Sequence, residues 1–225
     1  MYQIAIDGPS GAGKSTVAKM IAEKLNCVYV DTGAMYRTIG LYASRKGVGK
    51  DDTDAIREML SGITFEIKYS DGVQHMILNG EDVTGLIRTQ EISMYASAVS
   101  AVPEVREFLI KPQRKFAEEN NVVMDGRDIG TVILPDANVK IFLTSSPEAR
   151  ARRRYLELLS KGQEADYGTI LSQTIERDRN DSTRAIAPLK PAADAVTLDN
   201  SELDIQQTFD AALEIIKSKL PEVAA

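Results

Sequence analysis

The 225-residue sequence predicts an α/β fold in which helices cover both faces of a parallel β-sheet. Five short apolar runs rich in valine and isoleucine are spread along the chain: YQIAID, CVYVD, NVVMD, VKIFL and AVTLD. Unbroken apolar runs of this length are typical of parallel strands that are buried on both faces. Segments with helical spacing lie between the runs, and this alternation of strand and helix indicates a parallel sheet.

The first apolar run leads directly into GPSGAGKST, residues 8 to 16. This sequence fits the GxxxxGK[ST] pattern of a phosphate-binding loop, which requires a strand before it and a helix after it. The glycines let backbone N–H groups turn toward phosphate oxygens, Lys14 brings a positive charge, and the Ser15 hydroxyl is a ligand for Mg²⁺. The predicted ATP-binding residues of the loop are Gly8, Pro9, Ser10, Gly11, Ala12, Gly13, Lys14, Ser15 and Thr16.

The phosphate loop alone does not separate a kinase from a GTPase, a motor or a transport ATPase. An NKxD motif for guanine is missing from the sequence, which counts against a GTPase. The short chain counts against a motor or an AAA-type ATPase.

Two helices are predicted most clearly from their spacing. The helix after the loop has apolar residues at Val17, Met20, Ile21 and Leu25. The last helix, from about Asp204, repeats them at Ile205, Phe209, Leu213, Ile216 and Leu220, which form one helical face.

Four of the five apolar runs end in an aspartate. Because ligands of open α/β sheets bind beyond the carboxyl ends of the strands, Asp7, Asp31 and Asp125 are candidate site residues. Asp199 precedes Asn200 and Ser201 and is interpreted as a turn residue.

Residues 63 to 84 interrupt the α/β pattern. ITFEIKY, VQHMIL and EDVT are separated by Asp71-Gly72 and Asn79-Gly80, which are strong signals for tight hairpins. We expect a small antiparallel meander inserted into the α/β core. His75, the only histidine, lies in its middle strand and is interpreted as structural or solvent-facing.

The composition excludes several classes of protein. A formal net charge of -6 and a pI near 5.0 argue against a protein that coats nucleic acid or an anionic membrane. Cys27 is the only cysteine, so the chain forms no internal disulfide, and we interpret this thiol as a buried structural group. A secretion signal and a membrane-spanning run are not apparent, so we expect a cytoplasmic protein.

Arginines cluster in three stretches: DTGAMYR, DGRDIGT, and SSPEARARRRY followed by ERDRNDSTRAIAPL. Arginine runs are often plain solvated helix surface. Here, however, two arginine-rich stretches lie about one helix-turn-helix apart, with KGQEADYG between them, which is typical of a hinged cover that closes on a polyphosphate. Closure excludes water that would otherwise hydrolyse ATP, so the pattern favours a kinase.

Taken together, these motifs resemble those of bacterial cytidylate kinases, a family of nucleoside monophosphate kinases. The resemblance is carried by GPSGAGKST, DTGAMYR, EDVTGLIRTQEISMYAS, VREFLIKPQR, DGRDIGT and RDRNDSTRAIAPLKPAADA. IRTQE and DSTRAIAPL are far more specific than the loop. The resemblance implies a P-loop kinase core with a five-stranded parallel sheet in the order 2-3-1-4-5, an inserted antiparallel meander that binds the monophosphate, and a helical, arginine-rich lid.

The same resemblance implies one kinase domain over residues 1–225. The predicted core comprises 1–35, 102–145 and 185–225, the monophosphate-binding insert about 36–101, and the lid about 146–168. The implied reaction is Mg²⁺-dependent transfer of phosphate from ATP to CMP and dCMP in pyrimidine nucleotide metabolism. ATP, CMP and dCMP are the expected partners, with no nucleic acid and no membrane, and the expected oligomeric state is a monomer.

Site residues are carried over from the family by position. Ser97, Arg106 and Asp128 are expected to recognise the cytosine edge. Holding the CMP phosphate is assigned to Arg37, Arg127 and Arg184, and contact with the sugar and phosphates to Asp181 and Arg177. Thr32 belongs to the CMP-binding set and stands where the family often has serine. The predicted catalytic residues are Lys14, Arg127, Arg184 and Arg177. Arginines among Arg150, Arg152, Arg153 and Arg154 are expected to stabilise the transferring phosphoryl group, with Arg153 assigned to ATP.

The assignment of the base-recognition residues is chemically consistent. Cytosine presents an exocyclic amine next to two acceptors, so Asp128 accepts from the amine while Arg106 and Ser97 donate to the acceptors. Uracil has a carbonyl in place of the amine, and this carbonyl would face the Asp128 carboxylate. We expect discrimination of about 1–3 kcal/mol between CMP and UMP.

Two alternatives remain open from the sequence. The chain could phosphorylate another small acceptor such as UMP, AMP or shikimate. It could also be a nucleotide-dependent switch, which would hydrolyse ATP or GTP slowly without an acceptor.

Overall fold

The computed structural model describes residues 1–70, 72–221 and 223, and these residues form two compact units. The core unit comprises residues 1–29 and 120–225, and the insert unit comprises residues 30–119. Along the chain, the elements of the first half are β1 (Gln3–Asp7), α1 (Lys14–Lys24), β2 (Val28–Asp31), α2 (Thr32–Arg45), α3 (Thr53–Met59), β3 (Phe65–Ser70), β4 (Val73–Leu78), β5 (Glu81–Asp82), α4 (Gln90–Val99) and α5 (Pro103–Glu119). Those of the second half are β6 (Val122–Gly126), β7 (Val139–Thr144), α6 (Pro147–Ser160), α7 (Tyr167–Thr183), β8 (Val196–Asp199) and α8 (Ile205–Lys219), with a short π-helical turn at Ile129–Ile133.

The main sheet has five strands in the order β2-β6-β1-β7-β8. β1 pairs in parallel with β6 and β7, and β7 pairs in parallel with β8. The strand numbers differ from the predicted ones because the three strands of the meander intervene; counted among these five strands alone, the order is 2-3-1-4-5. All five apolar runs form strands of this sheet, and the predicted α/β fold class is confirmed.

Burial follows the position of each strand in the sheet. β6 is buried throughout and β1 nearly so, as expected for central strands. The expectation that every run is covered on both faces is wrong for β8, where burial alternates between half-buried and exposed residues. β8 lies at the edge of the sheet, so one face meets fewer neighbours.

The apolar core of this unit is formed by the inner strands together with α1 and α8. α8 begins with a capping box between Asp204 and Gln207, and it buries Thr208, Ala212, Leu213 and Ile216. Ile205, which the spacing predicts for the buried face, is 45% exposed because it is the first residue of the helix.

The predicted meander forms in the insert unit as a three-stranded antiparallel sheet in the order β3-β4-β5. Asn79 and Gly80 have φ values of 49° and 85°, and a tight Asn-Gly hairpin turn requires positive φ at both residues. Asp71 of the other predicted turn lies outside the described residues. His75 is in the middle strand, and its Nδ1 lies 2.8 Å from a carboxylate oxygen of Asp82.

Within the described part of the chain, none of the helices combines the length and the apolar character that crossing a membrane requires.

Candidate active site

The phosphate loop connects β1 to the start of α1. Gly8 has a φ of 149°, and a Cβ at this position would lie 1.9 Å from the carbonyl oxygen of Leu143 on β7. Gly13 has a φ of 88° and directly precedes α1, so the helix N-terminus opens onto the loop. Both positions require glycine, one for space and one for backbone conformation, and the predicted strand-loop-helix context is present.

Lys14 is the buried cation of the loop, with only 5% of its surface exposed. Its Nζ donates a hydrogen bond of 2.7 Å to the carbonyl oxygen of Pro9. Burial and the charge of Arg127 hold the pKa of Lys14 well below its usual value, while the carboxylates of Asp125 and Asp7 act in the opposite direction. Lys14 therefore lies in a neighbourhood where cations repel each other, which favours the binding of an anion.

Asp7, at the end of β1, is a buried carboxylate next to the loop. Its two oxygens accept hydrogen bonds of 2.7 Å from the backbone N–H groups of Ile129 and Gly130, at the π-helical turn. Burial raises the pKa of Asp7 from 3.8 to about 6, although these two hydrogen bonds oppose the shift. Asp7 thus fixes the segment that follows Arg127 and Asp128.

The raised pKa of Asp7 predicts a pH-dependent contribution to stability. Because the folded chain holds this proton more tightly than the unfolded chain, the contribution is complete below about pH 4 and is lost as the pH rises through about 6. The shift corresponds to about 3 kcal/mol of unfolding free energy. Replacing Asp7 with Asn removes the titration, so the unfolding free energy of the wild type minus that of Asp7→Asn is expected to fall by about this amount between pH 4 and 7.

Urea unfolding of both proteins across this pH range measures the difference. Parallel curves for the two proteins would show that Asp7 keeps an ordinary pKa in the folded state. The lost hydrogen bond in Asp7→Asn shifts the two curves by a constant amount and does not create a pH dependence.

A cluster of arginines and carboxylates lies beyond β6 and along α7. Arg127 donates from Nε to Asp181 over 3.0 Å, and the Asp181 carboxyl is nearly buried. Burial raises the pKa of Asp181, but the charges of Arg127, Arg177 and Arg184 outweigh it and hold this pKa below its usual value. The predicted residues Arg127, Arg177, Asp181 and Arg184 are therefore neighbours.

Asp128 belongs to the same part of the core unit. It is 5% exposed, and one of its oxygens lies 4.0 Å from a guanidinium nitrogen of Arg184. Arg184 follows α7, and its Nε donates to the carbonyl oxygen of Ala187. The arginine predicted to hold the CMP phosphate thus lies beside the carboxylate predicted to recognise the base.

Ser15 is linked to the end of β6 through Asp125. The Ser15 hydroxyl donates to Oδ2 of Asp125 over 2.8 Å, and the Tyr29 hydroxyl donates to Oδ1 over 2.9 Å. Among the residues that the structure describes, no group of three or more His, Cys, Asp or Glu side chains is placed to hold a metal ion. The Ser15 hydroxyl and the Asp125 carboxylate are oxygen donors, the kind of ligand that Mg²⁺ takes in proteins.

The four arginines of α6 have different surroundings. Arg150 is buried, forms a two-pronged salt bridge with Asp178 of α7, and donates to the carbonyl oxygen of Ser10 over 2.9 Å. Arg152 is exposed, and Arg154 pairs with Glu157 on the surface. Their predicted role at the phosphoryl group stays a prediction, and the structure gives Arg150 a clear second role in joining α6, α7 and the loop.

Arg153 points toward the loop that follows β8. Its guanidinium donates to the backbone oxygen of Asn200 over 2.5 Å, and the buried Asn200 amide donates to the carbonyl oxygen of Ala12 over 2.9 Å. Arg153, which the resemblance assigns to ATP, is therefore connected to the phosphate loop through one side chain.

In the insert unit, Asp31 at the start of α2 accepts hydrogen bonds from two arginines. Arg37 donates to both oxygens of Asp31, and Arg88 donates to Oδ2 over 2.9 Å. Among the residues that the structure describes, none accepts a hydrogen bond from the buried Nε of Arg37, and this is costly unless a ligand satisfies it. Gln74 on β4 fixes the backbone of Asp31. Its side-chain oxygen accepts from the Asp31 N–H over 2.8 Å, and its side-chain nitrogen donates to the Asp31 carbonyl oxygen over 3.2 Å.

Three more predicted CMP-binding residues lie in the insert unit. Arg106 on α5 is 3% exposed, lies over the Tyr36 ring at 5.6 Å, and donates to the carbonyl oxygen of Ser100. The Ser100 hydroxyl in turn donates to the carbonyl oxygen of Ser97. Arg106 and Ser97 are therefore linked through Ser100. Thr32, the third of these residues, is buried at the start of α2.

Five residues to which the sequence motifs assign no role contact predicted site residues in the structure: Tyr29, Gln74, Arg88, Asp178 and Asn200. Arg88 could have been predicted from the sequence, since it is part of the specific stretch IRTQE. The other four act through contacts between distant segments, for which a single sequence carries no periodic signal.

Comparison with known proteins identifies the family of this chain. The family model described as cytidylate kinase matches residues 4–218. The chain is 50% identical over 212 residues to a cytidylate kinase from Caldicellulosiruptor saccharolyticus, covering 94% of each protein. It is also 50% identical over 217 residues to a cytidylate kinase from Fervidobacterium nodosum, covering 96% of this chain and 97% of the relative.

Among solved structures, an uncharacterised protein from Eubacterium ventriosum matches 97% of this chain and 99% of its own, with a TM-score of 0.51 and 16% identity. A match at this identity supports the fold only. The family model and the curated relatives, which span nearly the whole chain, show that this phosphotransferase belongs to the cytidylate kinase family.

Proposed function

We propose that this protein transfers the γ-phosphoryl group of ATP to CMP and dCMP in a Mg²⁺-dependent reaction, forming ADP with CDP or dCDP. The observation that carries the proposal is the set of four cations near the phosphate loop of a cytidylate kinase family member. These cations are Lys14, Arg127, Arg177 and Arg184.

The reaction needs charge stabilisation more than proton transfer. An oxygen of the CMP phosphate attacks the γ-phosphorus, the bond to the β–γ bridging oxygen breaks, and the electron pair leaves with ADP. Since the attacking oxygen is already anionic, a general base is not required. Lys14 and the three arginines of the core unit would position the phosphates and neutralise the charge that spreads over the transferring group.

The carboxylates of the site have a different task. Asp181 and Asp128 lie next to Arg127 and Arg184, so the arginines are oriented before a nucleotide binds. Orientation in advance reduces the entropy that binding would otherwise cost. A bound nucleotide would then replace part of these contacts with stronger bonds to phosphate.

The donor set near Ser15 fits Mg²⁺. When bound, the ion would supply positive charge at the β and γ phosphates. Ser15 would contribute its hydroxyl oxygen, and Asp125 would keep accepting the hydrogen bond that this hydroxyl donates.

For the acceptor, we assign Arg37 to the CMP phosphate and Thr32 to the CMP-binding set. The cytosine edge is assigned to Ser97, Arg106 and Asp128. Among the described residues, the Nε of Arg37 lies buried with no hydrogen-bond partner, and this supports its role because a ligand could satisfy it. Arg106 and Ser97 are linked through Ser100, which supports a shared role. A monomer in the cytoplasm also remains our prediction.

Acceptor titration tests the proposal directly. We expect CMP and dCMP to stimulate ATP turnover strongly, UMP to be poorer by about 10-fold or more in kcat/KM, and AMP to give no stimulation. The measurement is steady-state ADP formation with each monophosphate and with no acceptor.

Three outcomes would contradict the proposal in different ways. Equal rates with CMP and AMP would remove base recognition. Strong turnover with shikimate alone would assign another acceptor. Slow ATP hydrolysis that no acceptor changes would favour a nucleotide-dependent switch.

A further inference from the structure

Tyr29 contacts the site but has no role in the reaction described above. It is the second residue of β2 and the last residue of the core unit's first segment, and it is half-buried. Its hydroxyl donates to Oδ1 of Asp125 over 2.9 Å. Lys19 of α1 lies over its ring, with Nζ 5.6 Å from the ring centroid.

The two oxygens of Asp125 therefore accept from two different hydroxyl groups. Tyr29 donates to Oδ1, and Ser15 donates to Oδ2 over 2.8 Å. A carboxylate can rotate about its Cβ–Cγ bond, and a hydrogen bond at one oxygen restricts this rotation. The contact with Tyr29 thus contributes to fixing the direction in which Oδ2 faces Ser15.

The direction of Oδ2 matters for the lone pairs of Ser15. A serine hydroxyl has one proton and two lone pairs, and it binds a cation only through a lone pair. If the proton is held by Asp125, the lone pairs are directed elsewhere and are available to a cation. A loose Asp125 would leave the hydroxyl free to rotate its proton toward the cation, which repels it.

We propose that Tyr29 is a positioning residue for Mg²⁺ binding: its hydroxyl orients Asp125, which holds the Ser15 proton and turns the Ser15 lone pairs toward the ion. The proposal rests on the proposed function only in taking Mg·ATP as the donor. Lys19 assists by holding the Tyr29 ring in place. Lys19 lies on α1, four residues after Ser15.

The test is the gain in nucleotide affinity that Mg²⁺ provides. A nonhydrolysable ATP analogue is titrated into the protein by calorimetry, once with MgCl₂ and once with EDTA. For Tyr29→Phe, we expect the affinity in EDTA to equal that of the wild type. The gain on adding Mg²⁺ should be smaller by about 10-fold, which is the lower end of the loss expected when a direct partner of a metal ligand is removed, because Tyr29 acts one contact further out, through Asp125.

Two further variants make the result specific. Tyr2→Phe is the matched control, because the Tyr2 hydroxyl donates to the carbonyl oxygen of Leu25 and lies in the same unit. It should keep the full gain. Asp125→Asn should lose at least as much of the gain as Tyr29→Phe, and Tyr29→Phe should have no additional effect in that background.

Several results would overturn the proposal. An unchanged Mg²⁺ gain in Tyr29→Phe, an equal loss in Tyr2→Phe, or additive losses in the double variant would each do so. A loss of affinity in EDTA would show that Tyr29 only supports the fold of the site. Because no acceptor is present, the experiment is independent of whether CMP is the acceptor, which the acceptor titration decides.

Discussion

Replacing Arg127 with methionine is expected to lower kcat for CMP phosphorylation by about 1,000-fold, the effect typical of removing a preorganised charge from a phosphoryl-transfer site. Methionine keeps much of the side-chain volume but has no charge and no donor. Arg127 is bonded to Asp181, and its charge lowers the pKa of the buried Lys14, so it lies among the groups that would face the transferred phosphoryl group. Steady-state kinetics with both substrates varied gives kcat and both KM values.

Arg57→Met is the control for the Arg127 variant. Arg57 also forms salt bridges, with Asp54 and Glu104, but it is about half exposed and lies in the insert unit on α3. Its kcat should stay within about twofold of the wild type, as expected for a solvated surface pair. If Arg127→Met instead raised KM for CMP with kcat unchanged, Arg127 would contribute equally to ground state and transition state.

The second large effect concerns stability and is expected for Arg150→Met. The Arg150 side chain is 2% exposed and forms a salt bridge with Asp178, whose side chain is 26% exposed. Removing one partner of a buried ion pair commonly costs 3–5 kcal/mol, and the partial exposure of Asp178 reduces the expected loss here to about 2–3 kcal/mol. Urea unfolding monitored by circular dichroism measures this loss as a change in midpoint at constant slope.

Matched variants separate the buried charge from other effects of Arg150→Met. Arg154→Met removes an exposed pair with Glu157 on the same helix and should change the unfolding free energy by less than about 0.5 kcal/mol. Adding Asp178→Leu to Arg150→Met should recover part of the loss, because the unpaired carboxylate is then gone. A loss for Arg150→Met no larger than that for Arg154→Met would mean that the pair does not stabilise the fold.

Much of the fold followed from local sequence patterns. The five apolar runs form the main sheet, and Asn79-Gly80 forms a hairpin turn in the meander. Burial was predicted less well at the edge strand β8 and at Ile205, because the spacing of apolar residues does not show which neighbours are missing. A periodic pattern defines an element, whereas burial depends on what packs against it.

The candidate site was predictable where one short motif carries the chemistry. The glycines and Lys14 of the phosphate loop are adjacent in sequence, and their arrangement follows from the pattern. The partners of these residues come from far along the chain, as Asp178 does for Arg150, 28 positions away, and as Asp125 does for Ser15, 110 positions away. A single sequence shows that charges are present but not which of them meet.

The hydrogen bonds from Gln74 have a consequence for protein engineering. Both of them reach the main chain of residue 31, so they are independent of the side chain at that position. A substitution of Asp31 would release Arg37 and Arg88, and it would keep both bonds to Gln74. The Asp31 side chain also caps α2 by accepting a hydrogen bond of 2.8 Å from the backbone N–H of Ala34, so the new side chain must offer an oxygen to this N–H. Replacing Asp31 with asparagine keeps such an oxygen and removes the charge, so position 31 is a place where the charge around Arg37 and Arg88 can be changed, by selection or by design, without undoing the architecture that presents them.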